Sequence, residues 1–265
     1  MIGFCPLASG SKGNSIFFGT EQTRVLIDAG ISVGALVKKL AEINVALDTI
    51  QAILITHEHT DHIKGLSLLT EKWNIPVLAN AETAKGIVQT LNIRPRFKIF
   101  TTGEPFSFND LEVLPFSIPH DTLDPVGFVI KAMGRKVGFC TDIGHATSLV
   151  RKMLEKCDYL YLEANHEVSM VHACPRPQIY KQRVLSKQGH LSNRECAQLL
   201  AALAHKDLKH VHLAHLSSEC NSQELALSII QEALSKVDSD ASLSIAFQDK
   251  VSQSVSFITE STYVI

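Results

Sequence analysis

The stretch "LITHEHTDHIKG", residues 54–65, places three histidines and an aspartate within six positions, directly after an apolar run. The preceding "AILIT" at 52–56 is short and rich in β-branched residues, which predicts a buried strand, and apolar residues then resume at helical spacing. The cluster therefore lies in a loop between a strand end and a helix start. If Thr56 ends the strand, His57 and His59 can point the same way.

Two interpretations compete for this cluster: a metal site, or a polar turn that happens to be rich in histidine. A lone histidine at a strand end is more often a hydrogen-bonded boundary residue than a ligand. Four such side chains together, His57, His59, Asp61 and His62, have little stabilising purpose in one loop, and metal binding accounts for all of them. One catalytic metal needs three protein ligands and an open position, so this set predicts two metals with further ligands elsewhere.

Three further candidate ligands stand where loops follow predicted strands. His120 ends "LPFSIPH", Asp142 ends "VGFCTD" and His215 ends "VHLAH". Binding and catalytic residues gather on such loops. The whole set offers imidazole nitrogen and carboxylate oxygen but no thiolate, which favours zinc and leaves manganese as the alternative.

Composition and charge bound the class of protein. Of 265 residues, 45% are hydrophobic and 20% charged, which is typical of a globular chain. A net charge of -2 gives no global electrostatic case for nucleic acid, so such a case must rest on a local patch. The sequence shows neither a signal peptide nor an apolar run of transmembrane length. We therefore expect a cytoplasmic protein whose six cysteines, none in a C-x-x-C pair, are free thiols.

Strand-like and helix-like segments alternate through two strand-rich halves with no linker between them. The second half includes "VGFVIKAMGRKVGFCTD", which predicts a hairpin turning at Gly134-Arg135, and Ser192 with Glu195, which predicts a helix-starting capping box. Two strand-rich runs that each end in helices suggest a four-layer sandwich with helices outside two sheets. Composition and periodicity alone indicate an α/β or α+β fold in a single domain, residues 1–265.

The motif H-x-H-x-D-H, with the three later ligands, resembles the dinuclear hydrolases of the metallo-β-lactamase fold over essentially the whole chain. That resemblance implies the αββα sandwich, a supporting Asp28 in "VLIDAG", and a hydroxide between two metals that attacks the substrate, with Asp61 among the catalytic residues. Oxygen-reducing di-iron members typically carry Glu at the position of His59, so hydrolysis is favoured over redox chemistry. The implied ligands are His57, His59 and His120 for one metal, Asp61, His62 and His215 for the other, and Asp142 as the bridge.

Segments of the second half, including "LEAN" at 162–165 and "GHLSNRECAQLLAALA" at 189–204, resemble ribonuclease Z. By that resemblance His190 lies near the metals, where it contacts the scissile phosphate or protonates the leaving oxygen. A role in buttressing its loop is equally open. Positions 143–214 leave no room for the inserted domain of related RNA-processing nucleases, and no glycine- and proline-rich arm is present, so transfer-RNA maturation is not favoured.

The opening "LASGSKGNS" at 7–15, together with "HEHTDHIKG", "GHLSN" and "PHDTLDPVGF", resembles a narrower group, the bacterial YycJ (WalJ) proteins, regarded as DNA exonucleases. This resemblance implies that the glycines of residues 7–15 let backbone N–H groups approach an anion, to which Lys12 adds positive charge. Ser11 and Asn14 are further substrate-binding candidates. A glycine-rich turn between two strands explains Ser11 and Asn14 equally well.

Residues 166–190 form a local basic stretch in a chain of net negative charge. Phosphate contacts are built from such side chains, although a basic run is more often a solvated face. We name Arg176 and Lys181 as substrate-binding candidates. The basic residues of the stretch, set against Glu167, are Arg176, Lys181, Arg183 and Lys187.

The sequence thus predicts a dinuclear metal-dependent phosphodiesterase that acts as a DNA exonuclease, with no membrane partner and no prediction of oligomeric state. The alternatives are a small-molecule hydrolase for a cyclic phosphodiester or a thioester, and an RNA-processing nuclease on the same site. A nuclease should depend on the basic stretch and bind less tightly as salt rises. A small-molecule enzyme should be nearly indifferent to both.

Overall fold

A computed structural model describes residues 1–258, so residues 259–265 of the predicted single domain lie outside the described part. Two seven-stranded sheets, in the orders β14-β1-β2-β3-β4-β5-β6 and β13-β12-β11-β10-β9-β8-β7, form the centre of the fold. The strands are β1 Gly3–Ala8, β2 Ser15–Gly19, β3 Arg24–Ile27, β4 Ala52–Leu54, β5 Val77–Ala79, β6 Phe97–Ile99, β7 Phe106–Phe108, β8 Leu111–Ser117, β9 Val126–Ala132, β10 Arg135–Cys140, β11 Tyr159–Glu163, β12 His210–Ala214, β13 Ser242–Ile245 and β14 Val255–Ser256.

Helices connect the strands and cover the outer face of each sheet. Several begin at side-chain caps, and Ser192 with Glu195 forms the predicted capping box at the start of α8. The α-helices are α1 Val33–Glu42, α2 Thr60–Ile63, α3 Leu66–Trp73, α4 Ala81–Leu91, α5 Ser148–Leu154, α6 Val168–Ala173, α7 Gln178–Val184, α8 Asn193–Leu203 and α9 Gln223–Ser235.

The buried side chains form layers that explain the four-layer arrangement. Along β3, Val25 and Ile27 enter the core between the two sheets, while Leu26 enters the core under the first set of helices. This alternation follows from the two-residue period of a strand. Leu199 and Ile230, from α8 and α9, enter the corresponding core on the second sheet. The predicted αββα sandwich is therefore confirmed.

Each sheet is antiparallel at one end and parallel at the other. Strands β3 to β6 are parallel in the first sheet, as are β10 to β13 in the second. Strand β8 pairs antiparallel with β9, which pairs antiparallel with β10, so β8 and β10 run the same way. The carboxyl ends of β8, β10, β11 and β12 consequently meet at one edge of their sheet, where the candidate ligands follow.

Three residues that follow strand ends, one in the first sheet and two in the second, adopt left-handed backbone conformations. The φ angles are 60° at Asp28, 57° at Asp142 and 55° at His215. This region is uncommon for residues other than glycine, and such strain clusters at functional sites. It turns the chain sharply at the point where each strand delivers its polar side chain.

One predicted turn is wrong by a residue. The hairpin between β9 and β10 turns at Met133 and Gly134, both at positive φ, and Arg135 already pairs with Ala132. Two consecutive left-handed residues suit the tight turn that matches strand twist. Methionine is an unusual residue there, so the sequence favoured the following pair.

The cysteines and the helix lengths agree with the sequence analysis. All six cysteines are free and buried, as predicted. Among the helices within residues 1–258, none combines the length and apolar character that crossing a bilayer requires.

Candidate metal centre

The loop after β4 brings three imidazoles together. His57 and His62 are fully buried, and their ring centroids lie 4.0 Å apart. His57 Nε2 lies 3.2 Å from His59 Nδ1, and His120 from the second sheet lies 5.1 Å from both His57 and His59 between ring centroids. One ligand atom from each of His57, His59 and His120 lies within a sphere that a single ion can span.

Asp28 anchors this loop from the end of β3. Its Oδ1 accepts a hydrogen bond from the backbone N–H of Thr56, and its Oδ2 accepts one from Thr56 Oγ1, both at 2.9 Å. The same Oδ2 lies 2.8 Å from His62 Nδ1. A carboxylate on Nδ1 fixes the tautomer and orientation of a metal-binding imidazole, which is the supporting role predicted for Asp28.

The second sheet supplies the other half of the centre. Asp142 Oδ2 lies 3.5 Å from His62 Nε2, and its Oδ1 lies 3.3 Å from His215 Nδ1 and 4.0 Å from His120 Nε2. Asp142 therefore lies between His62 and the cluster formed by His57, His59 and His120. The position supports the bridging role predicted for Asp142.

Glu163, at the end of β11, organises two histidines through one oxygen. Its Oε1 lies 2.8 Å from His190 Nδ1 and 2.9 Å from His215 Nδ1. Its Oε2 accepts hydrogen bonds from the backbone N–H groups of Ile143 and Leu191. Each oxygen of this buried carboxylate therefore has two hydrogen-bonding partners in the protein.

The unused atoms of the site fit divalent metals. The Nδ1 atoms of His62, His120 and His215 lie against Asp28, the Gly189 carbonyl and Glu163. This leaves the Nε2 atoms of His120 and His215 for an ion, while His62 Nε2 also lies 3.0 Å from Asn14 Nδ2. His215 Nε2 is buried without a hydrogen-bond partner. Buried polar atoms are nearly always paired, so a buried imidazole nitrogen without a protein partner fits the role of a metal ligand.

Asp142 and Asp61 add oxygen donors to this set. Asp142 Oδ2 is likewise buried without a hydrogen-bond partner. Asp61 is half-buried at the edge of the group, with Oδ2 at 3.6 Å from His62 Nε2. Nitrogen and oxygen donors without thiolate suit zinc and manganese.

Electrostatics hold the two buried carboxylates in their ionised form. Burial raises the pKa of Glu163, but His190 and His215 outweigh it and lower that pKa to about 2. Burial likewise opposes ionisation of Asp142, and the surrounding histidines, His215 foremost, hold its pKa well below the ordinary value. Burial and the neighbouring His62 lower the pKa of His57, so that imidazole is neutral as a metal ligand requires.

The centre opens into a cavity of about 260 Å³, here called the metal pocket. Ser11, one of the predicted substrate-binding residues, lines it. Lys12 is exposed but outside the lining, and its backbone N–H donates to Gln248 Oε1. The lining residues are Ser11, His59, Asp61, His120, Asp142, Asn165, Tyr180, Arg183, Val184, His190, His215, Leu216 and Ser217.

Asn14 lies inside the protein. Its Oδ1 accepts a hydrogen bond from the Gly10 N–H, and its Nδ2 lies 3.3 Å from Asp61 Oδ2 and 3.0 Å from His62 Nε2. A Cβ on Gly30 would overlap the Asp61 carbonyl, so the chain approaches closely here only because position 30 is glycine. Asn14 therefore braces the ligand loop, and the structure does not place it at the surface of the pocket.

The basic stretch is divided between the pocket and the outer surface. Arg183 lines the metal pocket, where its Nε donates to Asp121 Oδ2 at 2.6 Å. Arg176 is paired with Glu219, and Lys181 Nζ donates to the backbone carbonyl of His172. Arg176 and Lys181 are not among the residues that line the pocket.

Sequence reasoning gave no role to Glu163, Asp121 or Thr56. Glu163 stands in "LEAN", and the acid at the end of an apolar strand was the signal that could have found it. Asp121 lies beside His120, with Oδ1 at 3.5 Å from His120 Nε2. Thr56 and Asp121 hold ligands or Arg183 in place, whereas Glu163 also forms, with Asp142, His190 and His215, a group whose ligand atoms lie close enough to hold an ion.

Comparison with known proteins identifies the family. Residues 23–213 match the model of the beta-lactamase superfamily domain. The chain is 34% identical over 233 residues to exodeoxyribonuclease YycJ of Bacillus anthracis, covering 87% of this chain and 88% of that protein. It is 33% identical over 236 residues to exodeoxyribonuclease WalJ of Streptococcus pneumoniae, covering 88% of each. The chain belongs to the YycJ/WalJ family of the metallo-β-lactamase superfamily.

The fold of this YycJ/WalJ family member also resembles the folds of solved structures. The metallo-β-lactamase fold protein YhfI of Bacillus subtilis aligns with a TM-score of 0.70, covering 94% of this chain and 98% of that chain. Sequence identity over that alignment is 15%, so the likeness concerns the fold.

Proposed function

We propose that this protein is a metal-dependent DNA exonuclease, a phosphodiesterase that removes nucleotides from strand ends. The observation that carries the proposal is its near full-length match to two relatives named exodeoxyribonucleases. The convergence of the histidines and Asp142 supports the hydrolytic part independently of those names.

Seven side chains would hold two divalent ions, zinc by preference and manganese as the alternative. Such a pair supplies an activated nucleophile at neutral pH and a clamp on the attacking and leaving oxygens. The proposed ligands are His57, His59 and His120 at one position, Asp61, His62 and His215 at the other, and Asp142 between them.

His190 is the proposed proton donor. It lines the metal pocket, its Nδ1 lies 3.9 Å from Asp142 Oδ1, and the same nitrogen is held by Glu163. With Nδ1 engaged, Nε2 is left to hydrogen-bond the phosphate or to protonate the leaving oxygen. Asp61, half-buried at the pocket wall, is the second proposed catalytic residue, and its carboxylate can orient the attacking water.

Arg183 is the proposed contact for substrate phosphate within the metal pocket. Two of its N–H groups are engaged by Asp121, and a guanidinium carries five donors, so others remain for a phosphate oxygen. Ser11 lies on the same lining. Arg176, Lys181 and Lys12 lie outside it, so their proposed contacts are with nucleotides farther along the strand.

DNA is the proposed polymer, and a cytoplasmic location follows from that substrate. Six free, buried cysteines suit a reducing compartment, which supports the same location. No oligomeric state is proposed.

The test is digestion of end-labelled single- and double-stranded DNA and RNA, with zinc or manganese added. We expect mononucleotides from DNA. His59→Ala should lose at least about a hundredfold in rate, since metal ions contribute several kcal/mol to such chemistry. His172→Ala changes an exposed histidine outside the pocket and should digest DNA normally.

Other outcomes would replace the proposal. Digestion of RNA alone would indicate an RNA-processing nuclease. Metal-loaded protein that leaves every polymer intact would indicate a small-molecule hydrolase, with cyclic phosphodiesters and thioesters as the substrates to try next.

A further inference from the structure

The loop of residues 120–124, between β8 and β9, connects the metal centre to the proposed phosphate contact. It begins with the candidate ligand His120. Asp121 follows, and its carboxylate accepts hydrogen bonds of 2.6 and 3.2 Å from Arg183. Asp121 Oδ1 also lies 3.5 Å from His120 Nε2. The position of Arg183 relative to the candidate ligands therefore depends on how this loop is held.

Each end of the 120–124 loop has its own anchor. At the first end, His120 Nδ1 lies 3.2 Å from the carbonyl oxygen of Gly189. At the other end, the carbonyl oxygen of Asp124 accepts a hydrogen bond of 2.8 Å from Asn80 Nδ2, and Asp124 Oδ2 accepts one of 2.9 Å from Thr102 Oγ1. The residues between these anchors need a further contact to keep one position.

Glu58 supplies that contact. Its Oε1 accepts a hydrogen bond of 3.0 Å from the backbone N–H of Leu123. The side chain of Leu123 is 56% exposed, so burial of that side chain does not hold the loop. Hydrogen bonds to a carboxylate are stronger than those between neutral groups. Because Glu58 belongs to the ligand loop after β4, this bond joins the polar loops of the two sheets.

Helix α4 holds the side chain of Glu58 in turn. A Cβ added to Gly86 would lie 2.5 Å from Glu58 Cγ and 2.9 Å from Glu58 Cβ. Such contacts are far too short, so the side chain of Glu58 lies against α4 only because position 86 is glycine. The carboxylate that reaches Leu123 is therefore directed by packing as well as by its hydrogen bond.

We propose that Glu58 is a positioning residue for substrate binding, an inference that rests on the proposed function. Asp121 lies two residues before Leu123, so a loop released at Leu123 allows Asp121 and its partner Arg183 to shift. His120 keeps its separate anchor. A misplacement of about 1 Å in a positioning contact can cost about a hundredfold in rate. Glu58 thereby sets where Arg183 meets the phosphate, without binding the metals or the substrate itself.

Steady-state digestion of DNA by the metal-loaded full chain tests this role. Glu58→Ala should raise KM about tenfold, which corresponds to about 1.4 kcal/mol. Its kcat and metal content should stay at the parental values, since that pattern reports lost substrate binding. The direction is informative, because removal of a negative charge would by itself favour binding of a polyanion. Glu71→Ala, at an exposed acid of α3, removes the same charge and should not raise KM.

Two further variants separate positioning from a general loss of structure. Glu58→Gln keeps an acceptor for the Leu123 N–H, and its amide nitrogen can replace Oε2, which has no hydrogen-bond partner within residues 1–258. Its KM should therefore return close to the parental value. Gly86→Ala should raise KM by displacing Glu58, although alanine favours a helix over glycine. Added to Glu58→Ala, it should have little further effect, because both changes act through one contact.

The outcomes distinguish this inference from the proposed function. A parent that digests DNA, with Glu58→Ala showing a parental KM, a fall in kcat alone or a loss of bound metal, would overturn the positioning role and leave the nuclease proposal standing. Failure of Glu58→Gln to restore KM would overturn the role as well. A metal-loaded parent that leaves DNA intact would overturn the proposed function and the positioning role with it.

Discussion

Glu163 and His215 are joined by a hydrogen bond of 2.9 Å between Oε1 and Nδ1, and the same oxygen holds His190 at 2.8 Å. One buried carboxylate thus orients a proposed metal ligand and the proposed proton donor together. The two roles can be separated by substitution because each histidine has its own hydrogen bond.

Glu163→Gln should impair both metal binding and turnover. The amide retains one acceptor oxygen, so at most part of the network survives, and loss of such a supporting partner typically costs about 10–100-fold in metal affinity. His190→Asn should retain two metals per chain and lose turnover alone. Metal content by elemental analysis, beside the digestion rate, distinguishes the variants. Loss of metal from His190→Asn would show that His190 is a ligand.

Asp28→Asn should fold and bind metal more weakly. Asparagine tolerates the left-handed backbone and can still accept from the Thr56 N–H, but it lacks the second oxygen that faces His62. Asp28→Ala should in addition lose about 1–3 kcal/mol of unfolding free energy, since a buried N–H is left unpaired. Urea unfolding measures this loss.

Asn74→Ala is the control for the backbone contribution, because Asn74 also has positive φ but ends α3 away from the candidate ligands. If Asp28→Ala costs no more stability than Asn74→Ala, the anchoring role assigned to Asp28 is wrong.

Arg183→Gln should weaken DNA binding at every strand length and lower the dependence of log K on log salt by about one charge. Arg176→Gln should weaken the binding only of oligonucleotides long enough to extend beyond the metal pocket, because Arg176 is paired with Glu219 outside it. Binding isotherms at several salt concentrations compare the two. An equal effect of both variants on the shortest oligonucleotides would contradict the placement of the phosphate contact.

Acid should destabilise the fold through two buried histidines of β12. Burial lowers the pKa of His210 to about 4 and that of His212 to about 3. Below pH 6.5 the unfolded chain binds protons that the folded chain excludes, so stability falls as pH drops toward 4. Each histidine contributes up to about 1.4 kcal/mol per pH unit in that window.

His212→Gln should flatten this pH dependence, whereas His172→Gln, at an exposed histidine, should not. Urea denaturation at pH 7, 6, 5 and 4 provides the comparison. A parent protein whose unfolding free energy is constant between pH 6.5 and 4 would contradict the assignment.

The sequence predicted the fold and much of the candidate centre because their signals are local. Crowding in H-x-H-x-D-H is visible within six residues, and Asp142 and His215 each end an apolar run. Their convergence follows from the topology, since β10 and β12 flank β11 in parallel.

Other features depend on tertiary placement that no local pattern carries. Asn14 and Ser11 stand in the same glycine-rich loop, yet one turns inward to Asp61 and the other lines the pocket. Arg176 precedes α7 and Arg183 lies within it, so which arginine reaches the pocket depends on where that helix packs. Glu163 ends an apolar strand, but which histidines it holds depends on β11 lying between β10 and β12.

Metal titration with simultaneous assay of DNA digestion tests the central claim most directly. Chelator-stripped protein is supplied with increasing zinc or manganese, and bound metal per chain is measured with the release of mononucleotides from end-labelled DNA. The account predicts no digestion without metal and full activity at two bound ions per chain. Fully loaded protein that leaves DNA intact, or metal-free protein that digests it, would contradict the account.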